Sequence, residues 1–220
     1  MSVPEHKIPT YYSEQELLEL NPNFIPKHIA IIPDGNRRWA RKVKTEIDQG
    51  HREGADNLMD IVKAAKELGI KTLTFYIFST ENWKRPLHEV HSFMALLEKY
   101  LKDKIPMMIE NGVRLGWIGK KDRLSSSLLK TLQTSLDATA ECNKMDLVLA
   151  INYGGRDDIA RACQKISEEV AAGKLESKSI TEELIAQYID TYPWGDPDLL
   201  IRASGEMRIS NFLLWQLSYS

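Results

Sequence analysis

Asp34-Gly35-Asn36-Arg37-Arg38-Trp39 sets one carboxylate at the head of a run of cations, with Arg41, Lys42 and Lys44 close behind. Guanidinium groups offer planar forks of donors, so this run could hold a phosphate against the backbone N–H groups of a helix start. A carboxylate in the middle of such a site repels a bare phosphate. With a divalent cation it becomes a bridge instead. An ordinary strand-to-helix turn with a solvated basic face accounts for the same residues, and spacing alone leaves both readings open. Arg202 and Arg208 flank Gly205, with Ser210 nearby, and could clamp a diphosphate by bidentate contacts. By themselves, flanking arginines are more often surface ion-pair residues. Asp157-Asp158 invites a metal reading, but Arg161 stands where a further acid would be needed. The pair reads better as helix N-terminal acids, which the dipole favours.

Those groups need elements to hold them. Ile29, Ile31 and Ile32 make a short β-branched run suited to a fully buried strand. Pro33 cannot donate to a ladder and ends it, and Gly35 supplies the turn by tolerating positive φ. Residues 43–48 read as a mobile loop. Gly50-His51-Arg52-Glu53-Gly54 then leads into a helix, with Leu58, Ile61, Val62, Ala65 and Leu68 at the helical period and a stop at Gly69. Residues 72–79 form a second strand, giving a right-handed βαβ unit. The segment Ser79-Thr80-Glu81-Asn82-Trp83-Lys84-Arg85-Pro86 follows it directly.

A long helix begins near His88, where Val90, Phe93, Met94, Leu96, Leu97, Tyr100, Leu101 and Ile105 make an apolar surface wider than one stripe. Pro106 is expected to kink it. That surface suits either packing on a sheet or one wall of a lipid tunnel. Strands at 113–118, 147–153 and 198–202, with helices at 124–140, 159–172 and after Thr181, complete the alternation. The fold class is α/β: a single domain with a largely parallel central sheet flanked by helices. Ligands of such sheets bind beyond the carboxyl ends of the strands, where Asp34 and the 79–86 segment both fall. Residues 1–26, with Pro4, Pro9, Pro22 and Pro26, read as an N-terminal appendage or lid. Ser13 caps a short helix at 14–20 there, and residues 27–220 are the domain proper.

A chain of 220 residues, 43% of them hydrophobic, buries one good core. A net charge of −2 argues against nucleic acid as a partner, which would need a wide basic surface. Cys142 and Cys163 have no CxxC or zinc spacing and read as reduced, partly buried residues of a cytoplasmic protein. No signal-peptide core and no apolar run of spanning length is found, so membrane contact is expected to be peripheral.

The run His28-Ile29-Ala30-Ile31-Ile32-Pro33-Asp34-Gly35-Asn36-Arg37-Arg38-Trp39-Ala40 closely resembles the first signature of the cis-prenyltransferases, the undecaprenyl diphosphate synthase family. Three further segments are similar to family motifs and fall in the family's order. They are the 79–86 segment, Asn152-Tyr153-Gly154-Gly155-Arg156, and the run from Arg202 to Gln216. The resemblance covers nearly the whole chain from about Lys27 onward. It implies condensation of isopentenyl diphosphate with an allylic diphosphate primer such as farnesyl diphosphate. The implied product is a long polyprenyl diphosphate, undecaprenyl diphosphate for a cell-wall lipid carrier being the expected one. Mg²⁺, an apolar tunnel, a homodimer and peripheral membrane contact through the lipid product are implied as well. The alternative is a non-catalytic scaffold subunit of a heteromeric cis-prenyltransferase. Such relatives lose the aspartate motif, which this chain has. A phosphatase using Asp34 as nucleophile is a further rival, but no DxD pair supports it.

Residue by residue, the resemblance assigns Asp34 as the metal-binding, catalytic aspartate. Gly35, Asn36, Arg37 and Arg38 match the cradle of the allylic diphosphate, with Trp39 and His51 at substrate-contact positions. Ser79, Thr80 and Glu81 match a second contact loop, Asn82 the proton acceptor, and Trp83 and Arg85 substrate positions. Arg202, Arg208 and Ser210 match residues that hold isopentenyl diphosphate, and Ile209 lies between them. An amide is no base near neutral pH, so a water, the released diphosphate or Glu81 is expected to share the proton with Asn82. Apart from the resemblance, His51 reads as a helix-start residue and Trp83 as a core anchor. Three departures stand out. Many bacterial members have glycine in place of Arg37. An arginine is frequent at the position of Ile47 and a histidine at that of Met207, and neither replacement can contact a phosphate or ligate a hard metal through nitrogen. The family continues past the position of Ser220 with a metal-binding glutamate and a segment that reaches the dimer partner. The apolar run to Tyr219 ends without a boundary signal, so a truncated chain is the expectation, with the second metal carboxylate just beyond Ser220.

Overall fold

The computed structural model describes residues 11–220, so the first ten residues of the expected appendage, with Pro4 and Pro9, lie outside the described residues. Helix α1 (Glu14–Glu19) is closed at its start by a reciprocal capping box between Ser13 and Glu16. It buries none of its residues, and Leu18 is 85% exposed, so its apolar side does not dock. The appendage is tied on instead by Tyr11, whose hydroxyl donates to Asp60 and whose N–H donates to Glu67.

Strand β1 (His28–Ile32) is followed by α2 (Asn36–Lys42), α3 (Ile47–Glu67) and β2 (Thr72–Ser79). Then come α4 (Leu87–Asn111), β3 (Val113–Ile118), α5 (Ser126–Thr139) and β4 (Met145–Tyr153). The chain closes with α6 (Gly155–Ala171), α7 (Glu182–Tyr188) and β5 (Leu199–Arg202). The five strands form one sheet in the order β3-β4-β2-β1-β5, and every pair is parallel. Helices cover both faces of such a sheet. Strand β4 shows the division, since Leu147, Leu149 and Ile151 face the core under α3, α4 and α5, whereas Val148 and Ala150 face a second core with Tyr153, Phe212 and Leu213. Fully burying each large apolar side chain contributes about 1.5–3 kcal/mol.

Several element boundaries differ from the sequence reading. Helix α3 begins at Ile47, so the loop expected at 43–48 is confined to residues 43–46, and Gly50 and Gly54 lie inside a helix. Packing decides this, because a Cβ on Gly50 would come within 2.4 Å of the Asn36 carbonyl oxygen, and one on Gly54 within 2.3 Å of Asn36 Nδ2. Helix α4 runs through Pro106 to Asn111, where Gly112 closes it at φ 68°. Helix α6 starts at Gly155 rather than at 159, so Asp157 and Asp158 lie in its first turn. Cys163 is exposed and only Cys142 is partly buried, contrary to the expectation for both; each is a free thiol.

Alanine normally stabilises a helix interior by about 1 kcal/mol over glycine. At position 50 the close approach of α2 reverses the sign. Gly50→Ala is expected to lower the unfolding free energy in urea by about 1–3 kcal/mol. A neutral or stabilising result would show that α2 and α3 are not packed this tightly.

Candidate active site

Three neighbouring parallel strands deliver the polar groups to one place. Register pairs Ile32 of β1 with Arg202 of β5, and Ile31 with Phe75 of β2, so the carboxyl ends of all three open on the same edge. Beyond β1, Asp34 leads into Gly35, whose φ of 101° and lack of a side chain let Ser204 close in. A Cβ on Gly35 would lie 2.0 Å from Ser204 Oγ, and that hydroxyl donates to the Asp34 carbonyl at 2.7 Å. The turn is therefore fixed by the segment that follows β5.

Asp34 and Arg202 form the central pair. Arg202 Nη2 lies 2.8 Å and Nε 3.3 Å from Asp34 Oδ2, and Arg38 Nη2 lies 3.6 Å from Oδ1. Burial opposes the charge on Asp34. The Arg202 hydrogen bond, the Gly35 N–H and the charges of Arg202 and Arg38 outweigh it and hold the carboxyl below the ordinary range. Arg202 Nη1 also donates to Ser210 Oγ at 2.8 Å and to the Arg208 carbonyl. After β2, Asn82 caps the short 3-10 turn Thr80–Lys84 by accepting from the Ser79 N–H at 3.2 Å. Its acceptor oxygen is thus already engaged.

A cavity of about 500 Å³ begins at these groups and extends along α4. Its mouth is lined by Asp34, Gly35, Asn36, Arg37, Arg38, His51, Ser79, Asn82, Arg85, Arg202 and Ser210. Its deeper wall is mostly apolar, with Leu58, Met59, Ile77, Phe93, Leu97, Leu101, Met108 and Leu147, joined on α4 by Tyr100 and Lys104. From Phe93 to Met108 the helix axis covers roughly 22 Å. Burial, then the charge of Arg85, pulls the His51 imidazole below its usual titration range, and its ring meets Phe93 edge-on at 5.2 Å.

Other expected residues stand apart from this cavity. Trp39 is 42% exposed on α2. Trp83 donates from Nε1 to Asn152 Oδ1 at 2.7 Å and packs on Phe78, an anchoring arrangement away from the cavity lining. Glu81 and Ile209 line a separate small hollow with Asn211. Burial opposes the Glu81 charge, but hydrogen bonds from its own N–H, Asn211, Ser79 and Thr80 win and hold it below the ordinary carboxylate range. Thr80 and Arg208 are outside both linings, although Arg208 accepts from Arg202 through its carbonyl.

The sequence reading missed Ser204 and Tyr76; Arg41, read there only as part of the basic run, joins the cavity lining. Tyr76 stacks on Phe212 at 4.4 Å, which seats the last segment on the sheet. Glu89 was missed too. It is a buried acid 3.3 Å from Arg37 and 3.7 Å from Arg85. Only its i,i+4 spacing from Arg85 signalled it.

Comparison with known proteins is decisive at this point. Residues 32–220 match the Prenyltransf family model, described as "Putative undecaprenyl diphosphate synthase". The chain belongs to this family. It is 47% identical over 196 residues to an isoprenyl transferase of Staphylococcus saprophyticus, covering 89% of this chain and 77% of that protein. An isoprenyl transferase of Aquifex pyrophilus is 48% identical, over 89% of this chain and 82% of its own. Among solved structures, lavandulyl diphosphate synthase from Lavandula x intermedia, in complex with dimethylallyl diphosphate, superposes with a TM-score of 0.84 at 36% identity. That match covers 87% of this chain and 83% of the other. A "probable undecaprenyl diphosphate synthase" from Campylobacter jejuni gives 0.72 at 34% identity, over 88% and 82%. Its family makes this prenyltransferase an enzyme of isoprenoid biosynthesis that transfers prenyl groups.

The family motif Asn152-Tyr153-Gly154-Gly155-Arg156 supports the site from behind. Asp158 is 1% exposed and accepts from the Tyr153 hydroxyl at 2.9 Å, from Arg161 at 3.3 Å and from the Asp190 N–H at 3.1 Å. Burial, then the Asp190 charge, pushes its carboxyl up to about 6 from 3.8. The folded protein thus favours the protonated form. Stability from this group is complete below pH 3.8 and is lost as pH rises through about 6. The difference in unfolding free energy, wild type minus Asp158→Asn, is expected to fall by roughly 3 kcal/mol across that interval. A difference that stays flat with pH would show that Asp158 titrates normally.

Proposed function

We propose that this enzyme elongates prenyl chains by condensing isopentenyl diphosphate with an allylic diphosphate primer, farnesyl diphosphate, to a long cis-polyprenyl diphosphate. Undecaprenyl diphosphate, for a cell-wall lipid carrier, is the proposed product. One observation carries the reading. A single cavity has five arginines (Arg37, Arg38, Arg41, Arg85 and Arg202) at its mouth and an apolar wall along α4. A diphosphate with a hydrocarbon tail has both complements. The bound dimethylallyl diphosphate of the lavender neighbour is a ligand of the same class.

In the proposed reaction the allylic carbon–oxygen bond breaks and its electron pair leaves on the diphosphate. Arg37, Arg38 and Arg85 offset that developing charge in a partly dry mouth. Arg202, Arg208 and Ser210 hold the second diphosphate, so that the isopentenyl double bond meets the allylic carbon without a separate entropy cost. A new carbon–carbon bond forms and a proton leaves the isopentenyl unit. Asn82 orients this region through Ser79 but is not basic, and Glu81 is tied to Asn211. A water or the departing diphosphate accepts the proton.

Mg²⁺ is assigned to Asp34. No group of three His, Cys, Asp or Glu gathers among the described residues, and Mg²⁺ is commonly held by one or two carboxylates plus substrate phosphates. A lone acid among diphosphate-binding arginines fits that habit. When bound, the ion would supply positive charge against the leaving group; Arg202 engages only Oδ2 of Asp34, which leaves Oδ1 to hold it. A homodimer, a cytoplasmic location and peripheral membrane contact through the product complete the proposal. The family resemblance supports them. No described helix is long and apolar enough to cross a membrane.

Product mass after incubation with farnesyl diphosphate, isopentenyl diphosphate and Mg²⁺ tests the reading. A polyprenyl series is expected, reduced roughly a hundredfold or more by Asp34→Ala. No product from this chain or from one extended past Ser220 would favour the scaffold subunit instead. Met108 lies deep in the cavity, near the amino ends of the strands. Met108→Trp is expected to shorten the longest product while the first condensation continues. An unchanged product distribution would remove the α4 wall from the path of the chain.

A further inference from the structure

We propose that Glu89 is a positioning residue that clasps Arg37 and Arg85 into one two-armed grip for the primer's diphosphate. This deepens the elongation reading and rests on it. Glu89 stands in the first turn of α4 and is 6% exposed. Its two oxygens face different partners: Oε2 lies 3.3 Å from Arg37 Nη2, and Oε1 lies 3.7 Å from Arg85 Nη1. Arg37 comes from α2, after β1, whereas Arg85 precedes α4, after β2. Two guanidinium groups from separate elements repel at close range, and a carboxylate between them removes that repulsion.

The cluster is built but not saturated. Arg37 Nε, His51 Nε2 and Glu89 Oε1 are all buried without a hydrogen-bond partner. Buried polar atoms left unpaired are costly, and the Arg37 Nε–H calls for an oxygen acceptor. A diphosphate oxygen answers it, and the His51 ring nitrogen accepts or donates according to its tautomer. Glu89 itself would repel that ligand, so its contribution lies in where it holds the arginines. The carboxylate also leaves the Arg37–Arg85–Glu89 group with one net positive charge rather than two.

Charge and position predict opposite outcomes, which makes the test sharp. Removing a negative charge from a cationic mouth tightens an anion by Coulomb attraction alone. Loss of the clasp weakens it. Calorimetric binding of inorganic pyrophosphate by Glu89→Gln is expected to be about tenfold weaker than by wild type, the size of one coupled ion-pair contact. In steady state the KM for the allylic diphosphate should rise about tenfold while kcat changes much less. Glu89→Gln combined with Arg37→Ala should cost less than the product of the two separate effects, because both remove the same contact. Glu89→Asp keeps the charge but cannot span both arginines, and is expected to weaken pyrophosphate too. It serves as the second variant if Glu89→Gln does not fold by circular dichroism.

Unchanged or tighter pyrophosphate binding by a folded variant, or fully multiplicative effects in the double variant, would overturn the proposal. Should wild type bind pyrophosphate with this dependence on Glu89 yet make no polyprenyl product, the clasp would stand and the elongation reading would fall.

Discussion

Five arginines share one cavity mouth, and the rest of the structure depends on keeping them there before any anion arrives. Like charges this close need counter-charges that are themselves held in place. Asp34 serves Arg202 and Arg38, and Glu89 serves Arg37 and Arg85. Each carboxylate is fixed by backbone: Asp34 by the Gly35 turn locked under Ser204, Glu89 by the first turn of a 25-residue helix. The arginines are thereby pre-ordered, so binding a polyanion need not bear the full cost of freezing long side chains.

The scaffold follows from that need. Parallel strands end together on one edge, and three neighbours, β5, β1 and β2, carry the three segments that make the mouth. The segment after β5 has no regular structure of its own, and it is held by Phe212 against Tyr76 and by Gln216 against Thr191. Behind it, the buried Asp158 joins β4, α6 and the loop after α7 through hydrogen bonds to Tyr153, Arg161 and Asp190. A buried acid shared by so many donors ties the elements together at some cost in stability above its own titration range. The apolar part of the cavity lining along α4 includes Phe93, Leu97, Leu101 and Met108, while Val90 and Met108 pack in the core.

Much of this was legible in the chain. The β-branched runs, Gly35 and Gly69, and the spacing of apolar residues in α3 are local signals, and local signals set the order and type of elements. Arg161 was also readable as the residue that breaks the acidic pattern of Asp157-Asp158; in the structure it pairs with both acids and with Asp190. Boundaries were less legible where packing overrode propensity. The loop was read as running to Asp48 and the 50–54 stretch as the lead into the helix, yet α3 begins at Ile47 and holds Gly50 and Gly54, against which α2 packs.

By itself the sequence determined the parallel α/β fold and its strand order in the chain. It also gave the clustering of cations around Asp34, and four ordered segments whose resemblance named the family. These rest on residue type and on spacing between near neighbours. Tertiary structure decided which of those residues share a cavity. It brought Arg202 within 2.8 Å of Asp34 across 168 positions, set Trp83 against Asn152 instead, and revealed Glu89 between two arginines from different elements. Such contacts depend on sheet register and helix packing, which no local pattern encodes.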